Sequence, residues 1–160
     1  MDETSTVLVV YRIPDTSYSV KITPTILSHA DINENCAWEK AMENLCTDTQ
    51  ITSLTKLLSD MSGVPFDTPA EPGINLHVIT NSEKFKGAAA IMNRKALRSF
   101  AREHHTNMLF VLPSSVHEMM ISPFTKETTA DELSAIVREV NETQVAPEER
   151  LADRAYILCL

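Results

Sequence analysis

The chain has 160 residues, of which 43% are hydrophobic and 22% charged, a composition typical of a soluble globular protein. Its formal net charge of −8 disfavours direct binding of duplex nucleic acid, because duplex-binding proteins neutralise phosphates with Lys and Arg. No apolar run approaches the roughly 18 residues of a membrane span, and the polar residues 1–6 lack the pattern of an export signal, so no membrane partner is expected.

Hydrophobic periodicity divides the chain into strands and helices. Alternation at every second residue indicates a strand, and apolar residues recurring every third or fourth residue indicate a helix. The predicted elements in chain order are strands at 6–13 and 18–22, a short helical segment from Thr23-Pro24, helices at 35–45 and 51–61, a strand at 76–80, a helix at 88–103, strands at 108–112 and 116–122, a helix at 129–140, a helical turn at 147–149 and a strand at 155–160. The main elements follow the order β-β-α-α-β-α-β-β-α-β, which predicts an α+β fold with helices packed on a mixed, largely antiparallel sheet.

Local signals predict several helix ends. Thr129 and Glu132 form a capping box, and Gly63 stands where a C-terminal cap belongs. Residues 47–49 are N-cap candidates for the helix at 51–61. Asn141 either caps its helix in a left-handed conformation or pairs with the serines at 114 and 115.

The domain organisation and the redox state follow from composition. Residues 62–73 contain three prolines and two glycines, which predicts an internal loop within a single domain covering 1–160. Cys36, Cys46 and Cys159 form no CxxC pair, so we expect reduced thiols in a cytoplasmic protein.

The segment 113–118 concentrates reactive side chains. Ser114 and Ser115 supply hydroxyls, His117 an imidazole and Glu118 a carboxylate, and together they are the candidate catalytic set of a hydrolase. The alternative is a structural turn, in which a serine bonds the backbone and His117 or Glu118 anchors a neighbouring helix. No GxSxG elbow and no oxyanion-loop glycine accompany the set, which favours the turn.

Other candidate residues lack a complete motif. His104-His105 lie at a predicted helix end, and no HExxH or Cys/His cluster accompanies them, so no metal is expected. Gly87 precedes three alanines without a phosphate-loop signature, which favours close packing of helix and sheet. His29 and His77 are lone histidines, predicted to be packed or surface residues, and no cofactor is predicted.

Acidic residues cluster in the last third of the chain. Such a cluster fits a basic surface on a protein partner, and the alternative is a solvated helix face. The candidate partner-binding residues are Asp131, Glu132, Glu139, Glu142, Glu148, Glu149 and Asp153.

Five phrases resemble a known bacterial family. They are VITN at 78–81, KGAAA at 86–90, LPSSVHE at 112–118, VNETQVAPEE at 140–149 and LADRAY at 151–156. Together they resemble the C-terminal half of the domain-of-unknown-function family number 5688, most specifically over 76–156. The resemblance implies a shortened, stand-alone form, of the kind found in phages and mobile elements, and a common fold, but no activity. The positions that it marks are Asn81, Gly87, Pro113, Ser114, Ser115, His117, Glu118, Asn141 and Pro147.

These observations predict a small, acidic, non-enzymatic binding protein. It would occupy a protein partner's surface, such as a basic nucleic-acid channel, and an inhibitor of a host defence nuclease of the anti-CRISPR kind fits that description. Two alternatives stay open: a hydrolase centred on residues 114–118, and an oligomerisation module left from a longer family. The sequence leaves the oligomeric state undefined.

Overall fold

The computed structural model describes residues 9–13, 15, 16, 18–63 and 74–160. Contacts divide the chain into two compact units, Met1–Thr47 and Asp48–Leu160. The single-domain organisation stays a prediction. Most of the loop predicted at 62–73 lies outside the described residues, as do residues 6–8 of the first predicted strand.

The first unit contains a hairpin and helical segments. Strands β1 (Val10–Arg12) and β2 (Ser19–Lys21) pair in antiparallel register, as predicted. Helix α1 (Pro24–His29) starts with proline, and the Thr23 hydroxyl accepts the Ile26 N–H at 3.3 Å. Helix α2 (Glu34–Asp48) buries none of its residues.

The second unit contains a five-stranded sheet in the order β3-β4-β6-β5-β7, in which every pair is antiparallel. Its elements are β3 (Thr49–Ser53), α3 (Leu54–Ser62), β4 (His77–Asn81), a 3₁₀ helix (Gly87–Met92), α4 (Arg94–Glu103), β5 (Met108–Leu112), β6 (Met119–Pro123), α5 (Ala130–Gln144), a 3₁₀ turn (Pro147–Glu149) and β7 (Tyr156–Cys159). The predicted α+β fold is confirmed.

Helices cover both faces of this sheet, because successive strand side chains point to opposite sides. On one face, Ile79 and Ile121 share a core cluster with Leu97 of α4. On the other face, Phe110 and Leu112 share a cluster with Leu133 of α5. All six of these side chains are fully or almost fully buried, as a closely packed core requires.

Strand β3 lies where the periodicity predicts the start of a helix. Ile51 has helical spacing to Leu54, yet it pairs with Ile79 of β4. The N-cap of α3 is Ser53, whose Oγ accepts the Lys56 N–H at 3.5 Å, so the caps predicted at 47–49 are wrong. β-Branched residues at 49, 51 and 52 favour extended backbone, and pairing with β4 selects it. Gly63 does cap α3, in a left-handed conformation with φ of 67°.

The helix predicted at 88–103 is interrupted at Asn93. A 3₁₀ helix precedes Asn93. The Asn93 Oδ1 accepts the Ala96 N–H at 3.1 Å and so caps the start of α4. Because a 3₁₀ helix has a different period, the apolar face is displaced from the predicted one. The predicted face was Ala89, Met92, Ala96 and Phe100, and the buried residues are Gly87, Ala88, Ala90, Leu97, Phe100 and Ala101.

Two further findings concern environment. Among the described residues, no helix has the length and apolar character needed to cross a membrane. Cys36, Cys46 and Cys159 are all exposed, and none of them forms a disulfide bond.

Candidate functional site

Residues 113–118 form an irregular connection between β5 and β6. The strand predicted at 116–122 is present as β6, but it starts at Met119, so only the predicted start at 116 is wrong. The Ser115 Oγ accepts the backbone N–H of His117 at 2.9 Å, a hydrogen bond that bends the chain away from strand geometry. Ser114 and Ser115 are both buried. We call this segment the 113–118 turn.

Backbone hydrogen bonds tie the 113–118 turn to the segment before β7. The Ala152 N–H donates to the Pro113 carbonyl at 3.0 Å, and the Leu151 N–H donates to the Ser114 carbonyl at 3.2 Å. In the opposite direction, the Val116 N–H donates to the Glu149 carbonyl at 2.9 Å. The turn therefore has partners for its buried backbone polar groups, as burial demands.

The 113–118 turn also holds the start of the 3₁₀ helix. The N–H groups of Gly87 and Ala88 donate to the carbonyls of His117 (2.9 Å) and Val116 (3.2 Å). The Thr80 hydroxyl donates to the same His117 carbonyl at 2.8 Å. A Cβ at Gly87 would lie 2.7 Å from the Asn81 nitrogen, so only glycine fits this approach. The N–H groups that a phosphate would need are thus already bonded to the turn.

The His117 ring is hydrogen-bonded at both nitrogens. Its Nδ1 lies 3.1 Å from the Lys86 N–H, so it accepts a hydrogen bond and carries no proton. Its Nε2 therefore carries the proton and donates to the Glu149 carboxylate at 3.0 Å. The Phe85 ring lies 5.1 Å from the imidazole, centroid to centroid. These contacts orient His117 as an anchor between two segments distant in sequence.

In this geometry the four candidate catalytic residues do not act together. Neither His117 nitrogen is directed at Ser114 or Ser115 in these hydrogen bonds, because Lys86 and Glu149 occupy them. The carboxylate that the imidazole bonds is that of Glu149. A serine hydrolase would require one imidazole nitrogen to accept the seryl proton.

Asn141 fastens α5 to the same region. The helix continues to Gln144, so the predicted left-handed cap at Asn141 is wrong. The side chain is 1% exposed, and its Nδ2 donates to the Ala152 carbonyl at 2.9 Å and to Asp153 Oδ1 at 2.6 Å. Ala152 in turn bonds the 113–118 turn, which connects Asn141 to it through one intermediate residue. Asn141 Oδ1 has no hydrogen-bond partner among the described residues.

The seven predicted partner-binding residues fall into two groups. Three hold the fold: Glu149 pairs with His117, Asp153 accepts from Asn141, and Glu132 accepts the Thr129 N–H at 2.8 Å in the capping box. The backbone and hydroxyl hydrogen bonds from Thr129 lower the pKa of Glu132. The other four residues are exposed, as Glu132 and Asp153 also are. We call these four the acidic surface: Asp131, Glu139, Glu142 and Glu148.

The histidines other than His117 lie elsewhere. His29 is exposed at the end of α1, and His104 follows the last residue of α4. His77 packs edge-on against Phe100, with ring centroids 4.7 Å apart, and burial lowers its pKa. A hydrogen bond with the Asn75 carbonyl opposes that shift, and the charge of His104 adds to it. Among the described residues, no group of three or more His, Cys, Asp or Glu is arranged to hold a metal ion.

Helix α4 carries exposed basic residues that the sequence prediction overlooked. They are Arg94, Lys95, Arg98 and Arg102. Their spacing within a single predicted helix was a usable signal, because residues three and four apart lie on one side of a helix.

The phrases that carry the family resemblance meet at the 113–118 turn. Thr80 and Gly87 bond the His117 carbonyl, and Glu149 and Ala152 bond the turn from its other side. Segments far apart in sequence are thereby joined at one place.

The comparisons with known proteins agree with the resemblance at the level of the family. The model of the Family of unknown function (DUF5688) matches residues 6–159. Because the match covers nearly the whole chain, the prediction of a C-terminal half is wrong, and the shortened form inferred from it loses its basis. No curated protein and no solved structure matches the chain. The chain belongs to the DUF5688 family.

Proposed function

We propose that this member of the DUF5688 family is a non-enzymatic binding protein, and that the acidic surface docks on a basic surface of a protein partner. The observation that carries the proposal is the exposure of four carboxylates, Asp131, Glu139, Glu142 and Glu148. The carboxylates of Glu132, Glu149 and Asp153 instead accept hydrogen bonds that hold the fold. A long-range electrostatic attraction between oppositely charged surfaces favours encounter and orientation.

The arrangement of α5 supports this use of the acidic surface. Glu139 and Glu142 are three residues apart, so their carboxylates project from neighbouring positions on the helix. Arg138 lies beside them, but its guanidinium is directed to the Asp153 carbonyl at 3.5 Å. Leu133 and Val137 bury the opposite side of the helix in the core, which holds the acidic side outward.

Binding has more support than hydrolysis. A hydrolase centred on Ser114, Ser115, His117 and Glu118 would first have to break the hydrogen bond between His117 and the Lys86 N–H. The same bond supports an anchoring role for His117.

The partner class in this proposal is a protein with a basic channel for nucleic acid. Occupying such a channel would block its nucleic acid, so the chain would act as an inhibitor of a nuclease, in the manner of anti-CRISPR proteins. The proposal places this action in the cytoplasm, where cysteine side chains stay reduced.

The test compares two triple variants that change the net charge equally. One variant carries Glu139→Lys, Glu142→Lys and Glu148→Lys on the acidic surface. The matched control carries Glu34→Lys, Glu39→Lys and Asp60→Lys at exposed positions elsewhere. Each chain is immobilised, exposed to a bacterial lysate with and without added nucleic acid, and the captured proteins are identified by mass spectrometry.

We expect the parent and the control to capture the same partner and the acidic-surface variant to lose it. Added nucleic acid should release the partner from the parent, because both compete for one channel. Equal capture by all three chains would contradict the proposal, as would capture of no specific partner. Light scattering on the parent separates this outcome from self-association, the function expected of an oligomerisation module.

A further inference from the structure

The second unit contains a cavity beside strand β3 that the acidic surface does not involve. Its volume is about 450 Å³, and it opens to solvent between β3, β4, α3 and α4. Small-molecule sites in proteins typically occupy about 300–1,000 Å³, so the cavity has room for such a ligand. We call it the β3 groove.

The interior of the β3 groove combines an apolar side with aromatic rings. Ile51, Ala96 and Phe100 supply the apolar contacts. The rings of His77 and His104 lie 4.7 and 4.5 Å from that of Phe100, centroid to centroid. Burial lowers the pKa of His77, which favours a neutral ring. Its Nδ1 donates to the Asn75 carbonyl at 3.2 Å, so its Nε2 can accept a hydrogen bond. Aliphatic groups of a ligand can therefore pack on one side of the groove and polar groups can bond on the other.

Two opposite charges line the groove from different helices. Lys56 belongs to α3, and Glu103 is the last residue of α4. Within the described part of the chain, neither side chain forms an ion pair with the other or with a third group. An anion bound here would be repelled by Glu103, and a cation would be repelled by Lys56. A ligand carrying both charges would satisfy both residues.

We propose that the β3 groove binds a small zwitterion of the amino acid or short-peptide class. The ligand carboxylate pairs with Lys56 and the ligand ammonium group pairs with Glu103. An aliphatic side chain packs against Ile51, Ala96 and Phe100. This proposal is independent of the acidic surface and of its partner.

The test uses four ligands that share the leucine side chain and differ in whether the amino group, the carboxyl group or both are blocked. They are leucine, N-acetyl-leucine, leucinamide and N-acetyl-leucinamide, and leucyl-leucine serves as a longer zwitterion that distinguishes a peptide from a free amino acid. Each is titrated to about 10 mM, a concentration that detects dissociation constants in the millimolar range. The readout is the NMR signal of each histidine ring. His29 and His105 are internal controls, because neither lines the groove.

We expect leucine or leucyl-leucine to shift the His77 and His104 signals. The blocked analogues should have dissociation constants roughly 10-fold higher or more, since each loses a charge-assisted hydrogen bond. Lys56→Gln and Glu103→Gln should each weaken binding by a similar factor. Lys95→Gln and Glu127→Gln, at exposed positions outside the groove, should leave it unchanged. The exchange Lys56→Glu with Glu103→Lys should restore binding with the ligand reversed.

Three results would overturn the proposal. The first is that no zwitterion moves the His77 or His104 signals. The second is that a blocked analogue moves them as readily as leucine does. The third is unchanged binding in Lys56→Gln and Glu103→Gln. Thermal unfolding of each variant establishes that a loss of binding reflects the charge and not a loss of fold.

Discussion

The two faces of the five-stranded sheet carry helices of opposite charge. Helix α4 exposes four basic residues on one face, and α5 exposes a mainly acidic side on the other. The faces also differ in how they are completed. Around α5, hydrogen bonds of Asn141, Glu149 and the 113–118 turn join the connecting segments to one another. Beside α4, the β3 groove is open to solvent. The net charge of −8 therefore hides a basic side at α4 and an acidic side at α5, and the two sides offer different chemistry to a ligand.

The largest expected effect is on the α5 side, at Asn141. Asn141→Asp places a carboxylate where Nδ2 now donates to Ala152 and Asp153, so three acceptors would meet in a buried site. We expect a loss of roughly 3–5 kcal/mol in the free energy of unfolding, measured by urea denaturation, as for other buried unpaired charges. The double variant Asn141→Asp, Asp153→Asn restores a donor and should recover part of the loss. Parent-like stability of the single variant would show that these hydrogen bonds do not hold α5.

The second effect concerns close contact on the α4 side. In Gly87→Ala, the new Cβ would collide with the Thr80 hydroxyl and lie 2.8 Å from the His117 carbonyl oxygen. We expect a loss of about 3 kcal/mol, the upper part of the usual range for overpacking. Gly63→Ala is the matched control, because its φ is 67° but its Cβ would meet open space. It should cost only about 1 kcal/mol, the price of a left-handed alanine. Equal losses would remove the steric explanation.

A third, smaller effect tests the start of α5. Thr129→Ala removes the hydroxyl that accepts the Glu132 N–H, and helix caps of this kind contribute about 1 kcal/mol. Thermal denaturation should show that loss. Thr143→Ala, on the exposed side of the same helix, should leave stability nearly unchanged, and a loss as large as that of Thr129→Ala would argue against a capping effect.

The smallest effect is a pH dependence on the α4 side, because His77 is only partly buried. Since burial lowers its pKa in the folded protein, the unfolded chain binds the proton more readily. Well above its ordinary pKa of about 6.5, His77 therefore leaves the free energy of unfolding unchanged. As the pH falls from about 6.5 toward the folded-state pKa, His77 lowers that free energy. Denaturation at several pH values should show a shallower decline below neutrality for His77→Gln than for the parent. His29→Gln provides the comparison at an exposed position, and a parent-like decline in His77→Gln would contradict the assignment.

Predictions from the sequence succeeded where the signal was local. The capping box of Thr129 and Glu132, the Gly63 cap and the 3₁₀ turn at 147–149 depend on residues a few positions apart, and all three are confirmed. They failed where a distant partner competed with local periodicity. Ile51 has helical spacing, yet it lies in a strand because it pairs with β4. The helix predicted across the alanine run instead starts again at Asn93, which caps α4.

The candidate site shows the same division. The sequence marked His117, Glu149 and Asn141 as separate features, in a turn, an acidic cluster and a cap. Their actual partners lie 11 to 32 positions away, so no spacing rule connects them.

The amino-acid sequence by itself determined the fold class and most helix and strand positions, because these depend on periodicity and on short-range capping. Its resemblance to known sequences indicated the family. Only the tertiary structure decided that His117 joins Glu149 and Lys86, that Asp153 accepts a hydrogen bond from Asn141, and that a groove opens beside β3. Each of those outcomes requires contacts between segments that are distant in the chain. Such contacts are stabilised by packing and hydrogen bonds that no local sequence pattern encodes.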